Sequence, residues 1–346
     1  MKTVIMAGGE GKRLKRVSGD CPKPMMPLLG RPVMEHILEL LKANGITQVC
    51  VTLRYKPEQI TDYFKDGADL GMHIEYRVET EALGTAGGVK ACMDFVGQED
   101  FLVISGDAVC DFDLRHLIYE HQRRKPDITL ALYRNSAPLQ YGLVLTDPRG
   151  RVVSFIEKPP WERVVTDLVN TGIYVVSPRA MDLVPQGQFF DFAKDLFLRL
   201  MDRGGHLLGV PMSGYWCDIG TPRAYYQCNL DALDGKVRLQ DVPLEDTEPK
   251  VFDRPLQRSL WPGAQVRELR CRNRASLMRM MSEYLSEFGA DFTDGLCLNT
   301  EKGRVRISPA ANKSAIIIEA EAGDNKSSAR LAAEYENLAR ECQKNE

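Results

Sequence analysis

A glycine loop carrying basic side chains, Met6-Ala-Gly-Gly-Glu-Gly-Lys-Arg-Leu14, directly follows the apolar run Lys2 to Met6. A strand that ends in such a loop presents backbone N–H groups and cations at a sheet edge, where a polyphosphate can rest. Two familiar phosphate cradles fail to match it. A P-loop needs glycine at position 6 and Ser or Thr after Gly11-Lys12, where this chain has Met6 and Arg13. A dinucleotide fingerprint counted from Gly9 needs a third glycine where Leu14 stands, which argues against a nicotinamide dehydrogenase. Downstream, Cys21-Pro-Lys-Pro-Met25 holds Lys23 between two prolines. Proline fixes its own φ and restricts the residue before it, so this lysine has a stiff backbone.

From residue 1 to about 235, β-like runs alternate with helical patterns. That alternation predicts an α/β fold with a mixed, mostly parallel, Rossmann-like sheet covered by helices on both faces. Residues 2–7, 48–54, 101–104, 128–133, 141–147, 152–156 and 173–176 read as strands. Residues 32–43, a segment from Pro57 to near Gly67, and residues 190–203 and 222–233 read as helices. Residues 236 to 264 change character, with prolines at 243, 249, 255 and 262 and little periodicity, as a linker would. Residues 265 to 346 predict a small α+β domain: a helix over 275–288 with Leu277, Met280, Met281, Tyr284 and Leu285 inward, three short strands (296–299, 304–307, 315–320) and a last helix over 328–342.

The opening pair of motifs is joined, in order, by Leu83-Gly-Thr-Ala-Gly-Gly88, Ser105-Gly-Asp107, Tyr141-Gly142, Glu157-Lys158-Pro159, Asn170-Thr171-Gly172 and Trp216-Cys-Asp218-Ile-Gly-Thr221. Together they resemble the sugar-1-phosphate nucleotidylyltransferases over residues 1 to about 235. The resemblance implies attack by a sugar-1-phosphate oxygen on the α-phosphorus of a nucleoside triphosphate, releasing pyrophosphate, with Mg²⁺ as cofactor. A phosphate monoester with a second pKa of about 6 is already largely dianionic at neutral pH, so no general base is needed. The five histidines, at 36, 73, 116, 121 and 206, all fall outside these motifs.

The obstacle to such a reaction is charge, because two anionic reactants meet while negative charge spreads over the equatorial oxygens. Arg13 and Lys23 are the expected triphosphate cations, and Arg13, Lys23 and Asp107 the expected catalytic set. Ala7 and the amides of Gly8, Gly9 and Gly11 are the expected anion nest, with Gly84 and Thr85 completing the nucleotide site. Lys12 is an auxiliary candidate or a solvated loop charge. For the sugar phosphate the candidates are Gly142, Glu157, Lys158, Asn170 and Gly172. Magnesium takes hard oxygen ligands, commonly one or two carboxylates plus phosphates and waters, which points to Asp107 and Asp218. Asp111 or Asp113 reads as a turn or capping residue. Residues 83 to 88 read as a turn free of bulky side chains, and either Glu79 or Glu81 as an acceptor for an exocyclic amine of the base.

Within that family the strings LGTAGG, EKP and DIGTP resemble the mannose-1-phosphate guanylyltransferase branch, which makes GTP with mannose-1-phosphate the first choice. Uridylyl- and thymidylyltransferases for glucose-1-phosphate share the same vocabulary and stand as alternatives. A non-catalytic nucleotide-sugar sensor is the rival of another class. Retention of Arg13, Lys23, Asp107 and Asp218 argues for the enzyme.

The tail resembles the last domain of the α-D-phosphohexomutases through Asp294-Gly295, the run Gly303-Arg-Val-Arg-Ile-Ser-Pro309 and Glu319-Ala-Glu-Ala322. That family's phosphate loop, of the form R-P-S-G-T-E, is replaced by Ser308-Pro-Ala-Ala-Asn-Lys313, and its phosphoserine and metal loops are absent, so mutase activity is not expected. An assembly or regulatory role is expected of the tail, with the whole protein a homo-oligomer.

With 346 residues and a formal net charge of −3, the chain suits a soluble two-domain protein and not a basic nucleic-acid binder. Nine cysteines without a CxxC pair indicate neither a zinc site nor a closed disulfide framework, and a reduced, cytoplasmic setting is expected. No apolar run approaches the roughly 20 residues that span a bilayer, so no membrane partner is expected.

Overall fold

The computed structural model describes residues 1–11, 13–135, 140–158, 164–239, 264–271, 274–286, 288, 296–309 and 315–344. Most of the linker expected over 236–264 lies outside the described residues, as do Lys12, Pro159, Asp294-Gly295 and 310–313. Two compact units emerge, the larger holding Met1–Tyr133, Val144–Glu157 and Leu168–Lys250. The smaller gathers Arg134–Leu143, Lys158–Asp167 and the described part of Val251–Glu346.

The larger unit is built on a nine-stranded mixed sheet. Its centre is parallel, with strand Thr3–Met6 between Gln48–Leu53 and Phe101–Ser105, and His73–Val78 parallel outside Gln48–Leu53. Strand Leu168–Val176 runs antiparallel beside Phe101–Ser105, pairing Ile173 with Ile104. Such central strands are apolar on both faces: Val4, Ile5, Val49, Val51, Phe101, Leu102, Val103 and Ile104 are all fully buried. Strands 73–78 and Leu207–Pro211 were not evident in the sequence, and Leu168–Val176 begins earlier than expected.

Helix Val33–Ala43 presents Val33, Ile37, Leu40 and Leu41 to the core as its period requires, then stops at Asn44-Gly45. Helix Pro222–Leu233 starts with proline in its first turn, and the Thr221 hydroxyl caps it by accepting from the Ala224 N–H at 3.2 Å. The expected helix over 190–203 opens instead with a π turn, Phe192–Leu196, before the α segment Phe197–Asp202. Asp191 causes this start, its side chain accepting from the amides of Ala193 and Lys194.

Residues 83–88 correct the expected turn. They enter helix Gly84–Lys90, whose first amides, Ala86 and Gly87, donate to the Phe190 carbonyl. Gly84 sits at φ +72° with its Cα against that segment, where a Cβ would stand 2.6 Å from the Phe190 carbonyl oxygen. Only glycine fits both demands.

In the smaller unit a four-stranded antiparallel sheet runs in the order Gln265–Arg270, Ala315–Glu321, Gly303–Pro309, Leu296–Thr300. Helices Arg274–Ser286 and Asn325–Lys344 complete it. Strand Gln265–Arg270 was missed in the sequence because its residues alternate charge with only Leu269 buried. The helix packs Leu277, Met278, Met281 and Leu285, and Tyr284, expected inward, is 51% exposed. The apolar stripe is rotated by one position, so Met278 takes the inner place and Tyr284 stacks on Phe288 with rings 5.8 Å apart.

Candidate active site

Four parallel strands end at one edge of the sheet, and each delivers a polar or glycine residue there. In spatial order these are Glu79, Arg54, the loop from Ala7, and Asp107. Because Leu168–Val176 is antiparallel, its beginning, with Asn170 and Gly172, lies at the same edge beyond Asp107.

The loop is held by main-chain bonds at its root. Ala7 N–H donates to Thr52 at 3.1 Å, and Gly106 N–H to Met6 at 2.9 Å. Gly9 has open space over its Cα, as an anion-facing residue needs. At Gly11 the Lys23 stem lies so close that a Cβ would stand 2.8 Å from Lys23 Cγ. The loop therefore has a direction, with Gly8 facing Arg54 and Glu79, and Gly11 facing Lys23.

Lys23 follows Pro22 into a short 3₁₀ turn and donates from Nζ to Asp107 Oδ2 at 2.9 Å. Ser105 Oγ donates to the other carboxylate oxygen at 2.6 Å. Burial disfavours the Lys23 cation, yet the Asp107 and Asp218 carboxylates outweigh it and hold the ammonium pKa above the ordinary lysine value. Burial likewise opposes ionised Asp107, and Lys23 and Ser105 reverse the balance to keep it below the usual carboxylate range.

Asp218 reaches the site on a two-stranded ladder, Trp216–Asp218 against Ala108–Cys110, pairing with Ala108 next to Asp107. Burial, then the Asp107 charge, push its pKa up to about 6 despite Lys23 and Arg13. Arg13 is exposed and lies over Gly220, where a Cβ would meet Arg13 Nη2 at 3.1 Å and both Asp218 oxygens at 3.0 and 3.1 Å. A carboxylate whose protonation is raised by burial and by a neighbouring carboxylate is what a divalent cation would relieve. Among the described residues no group of three or more His, Cys, Asp or Glu forms a metal cage. The pair therefore suits a cation whose remaining ligands are phosphates and waters, which is the usual habit of Mg²⁺.

On the far side of Asp107, Gly172 sits against Ser105, and Asn170 donates from Nδ2 to the Tyr174 hydroxyl at 2.9 Å. Asn170 Oδ1 accepts from the Gly172 N–H at 3.2 Å. Burial raises the Tyr174 phenol's pKa, and the charges of Asp191 and Glu157 add to it, which brings Glu157 to the same neighbourhood. Tyr174 and Asp191 were missed in the sequence because each sits outside a recognisable motif. The Thr85 hydroxyl donates to Asp191 at 2.8 Å and accepts from the Phe192 N–H at 2.9 Å, so it orients that segment. Gly142 opens the strand Gly142–Thr146 of the main sheet. Lys158 follows Glu157 at φ +43°, exposed, its N–H donating to Tyr141 at 3.2 Å within the smaller unit.

At the opposite end, Glu79 Oε2 accepts from the Leu83 N–H at 3.3 Å, and Oε1 lies where a Cβ on Gly88 would be 2.5 Å away. Glu79 thus faces both glycine segments, and Glu79 and Glu81 both line a cavity of about 400 Å³ with Tyr76 and Leu83. Asp113 caps helix Leu114–Arg124, and Asp111 accepts from Tyr215 and Arg238 amides, both structural roles. His36 and His121 are buried, with ring nitrogens against the Leu28 carbonyl and the Thr129 hydroxyl.

A glycine loop, two basic side chains and two carboxylates thus gather at the carboxyl edge of the parallel strands. Residues 2–235 match the model of the nucleotidyl transferase family, and the chain belongs to that family. It is 35% identical over 265 residues to a UTP–glucose-1-phosphate uridylyltransferase of Synechocystis, covering 73% of this chain and 68% of that protein. It is also 35% identical over 233 residues to a mannose-1-phosphate guanylyltransferase of Mycobacterium tuberculosis, covering 67% of this chain and 64% of that protein. The chain thus spans about two thirds of the length of these curated relatives. HddC from Yersinia pseudotuberculosis, solved in complex with GMP-PN, superposes with a TM-score of 0.59 at 29% identity, over 67% of this chain and 99% of that one. A putative glucose-1-phosphate thymidylyltransferase from Bacillus anthracis superposes with a TM-score of 0.62 at 26% identity, over 67% and 95%. No described helix is long and apolar enough to cross a membrane.

Proposed function

We propose that the chain transfers a nucleotidyl group from a nucleoside triphosphate to a sugar-1-phosphate, releasing pyrophosphate, with GTP and mannose-1-phosphate as the preferred pair. The observation that carries the reading is the convergence of Lys23, Arg13, Asp107 and Asp218 beside one glycine loop. The nest amides and Arg13 bind and orient the triphosphate, the arginine gripping two oxygens with its planar fork. Asp107 and Asp218 hold Mg²⁺, which when bound neutralises charge gathering on the phosphates. Lys23, whose ammonium lies 2.9 Å from Asp107, would offer its charge to the phosphates. Glu157 accepts from the sugar hydroxyls, the Asn170 amide accepts or donates, and Lys158 holds the sugar phosphate.

For the base, the acceptor Glu79 suits guanine, whose N1–H and N2–H₂ are both donors, and HddC was solved with GMP-PN. The uridylyltransferase relative at the same 35% identity supports a second reading, UTP with glucose-1-phosphate. Pyrophosphate release from purified protein, Mg²⁺, four triphosphates and a set of sugar-1-phosphates separates the two. GTP with mannose-1-phosphate is expected to be fastest, and faster turnover of UTP or dTTP with glucose-1-phosphate would overturn the preference.

A further inference from the structure

Arg54 belongs to none of the motifs and directly follows strand Gln48–Leu53, which lies between the strands that deliver Glu79 and the glycine loop. Its Cβ lies 3.7 Å and its backbone nitrogen 3.8 Å from the point where Gly8 would carry a Cβ. Glu79 Oε1 is 3.7 Å from that same point, so an arginine and a carboxylate flank one face of the loop. The attraction between them is felt at Glu79, whose pKa burial raises and Arg54 lowers. Arg54 is exposed and, among the described residues, forms no ion pair or hydrogen bond beyond that attraction.

Position separates Arg54 from the phosphate cations. Lys23 and Arg13 stand at the Gly11 end beside Asp107 and Asp218, whereas Arg54 stands at the Gly8 end, on the opposite side of the Thr3–Met6 strand from Asp107. A triphosphate drawn toward the carboxylate pair directs its nucleoside toward Glu79 and Arg54. An arginine fork there meets a base edge with two adjacent acceptors, which guanine presents at O6 and N7 and neither uracil nor thymine can offer.

We propose that Arg54 is a specificity-determining residue that reads the O6/N7 edge of guanine while Glu79 accepts from its donors. This rests on the assignment of the loop as a nucleoside triphosphate site. The test compares full-length wild type with Arg54→Ala and Arg54→Lys, measuring kcat/KM for GTP, UTP, dTTP and ATP at saturating sugar-1-phosphate, and calorimetric binding of GTP and UTP. A surface position leaves folding intact, which thermal melting checks. The GTP:UTP ratio is expected to fall about tenfold or more in both variants, because lysine keeps the charge and loses the fork, while KM for the sugar phosphate stays unchanged. A uniform loss across all triphosphates, an unmoved ratio, or a wild type that prefers UTP would overturn the proposal. A wild type without turnover on any substrate pair would refute the transfer reading instead, and the calorimetric ratio then still decides for or against Arg54.

Discussion

Lys23 and Asp107 form a 2.9 Å ion pair that joins the two halves of the site, the lysine from a proline-braced turn and the aspartate from the end of a central strand. Neither side chain is at rest in isolation, since burial opposes both charges and each is sustained by the other. Lys23→Ala is expected to lower kcat/KM by about 10² or more while the fold persists, because Ser105 still donates to Asp107. Steady-state pyrophosphate release beside a far-ultraviolet spectrum reads both. An unaltered kcat/KM would contradict the role.

Asp218 gives the site a pH signature. Its folded pKa, pushed up to about 6 from the ordinary aspartate value, means the folded chain holds this proton over a range where the unfolded chain has lost it. Stability from this group is therefore present below the unfolded value and lost as pH rises through about 6. Metal-free Asp218→Asn protein should melt higher than wild type at pH 7.5 and equal to it near pH 4, and should lose turnover. Added Mg²⁺ should raise the wild-type melting temperature at pH 7.5 more than at pH 5. Equal melting of wild type and variant at both pH values would contradict the mutual repulsion of the two carboxylates.

Two glycines of one helix separate folding from substrate selection. Gly84→Ala forces a side chain at φ +72° into the Phe190 backbone at 2.6 Å, and should cost about 1–3 kcal/mol in denaturant melts. Gly88→Ala crowds the end of the flexible Glu79 side chain at 2.5 Å and touches Thr52 Cγ2 at an ordinary 3.6 Å, so stability should change little while KM for the triphosphate rises. A severe folding defect in the second variant, or none in the first, would show that the helix is seated differently.

Val164, six residues beyond Lys158, packs against the core of Leu269, Leu277, Ile316 and Leu331, and the Asn135 N–H donates to the Asp167 carbonyl at 2.8 Å in the same unit. Val164→Asp should raise KM for the sugar phosphate on the order of fivefold and leave KM for the triphosphate unchanged. Unchanged sugar kinetics would leave the smaller unit without an influence on this segment.

What the sequence disclosed was whatever one short segment carries by itself. The glycine loop, the proline-braced Lys23 and Asp107 at a strand end are local, and so could be read before any fold was known. Asp218 could be named as a metal ligand by its motif, but its approach to Asp107 depends on a three-residue ladder too short to show a period. Arg54 was invisible because it looks like any surface arginine until the parallel register sets it beside Gly8. The helix at Gly84–Lys90 hid behind three glycines, at 84, 87 and 88, whose propensity opposes a helix, and the Phe190 carbonyl decides otherwise. The inclusion of Lys158–Asp167 in the smaller unit rests on contacts distant in sequence.

Asp107 and Asp218 are expected to hold together the cation that lets two anionic reactants meet. The most direct test is Mg²⁺-dependent pyrophosphate release from GTP and mannose-1-phosphate by wild type and by Asp107→Asn, with triphosphate binding measured in parallel. Turnover in the wild type that falls by about 10² or more in the variant, with GTP still bound, is the expected result. A variant that keeps the wild-type rate and the wild-type Mg²⁺ dependence would contradict it.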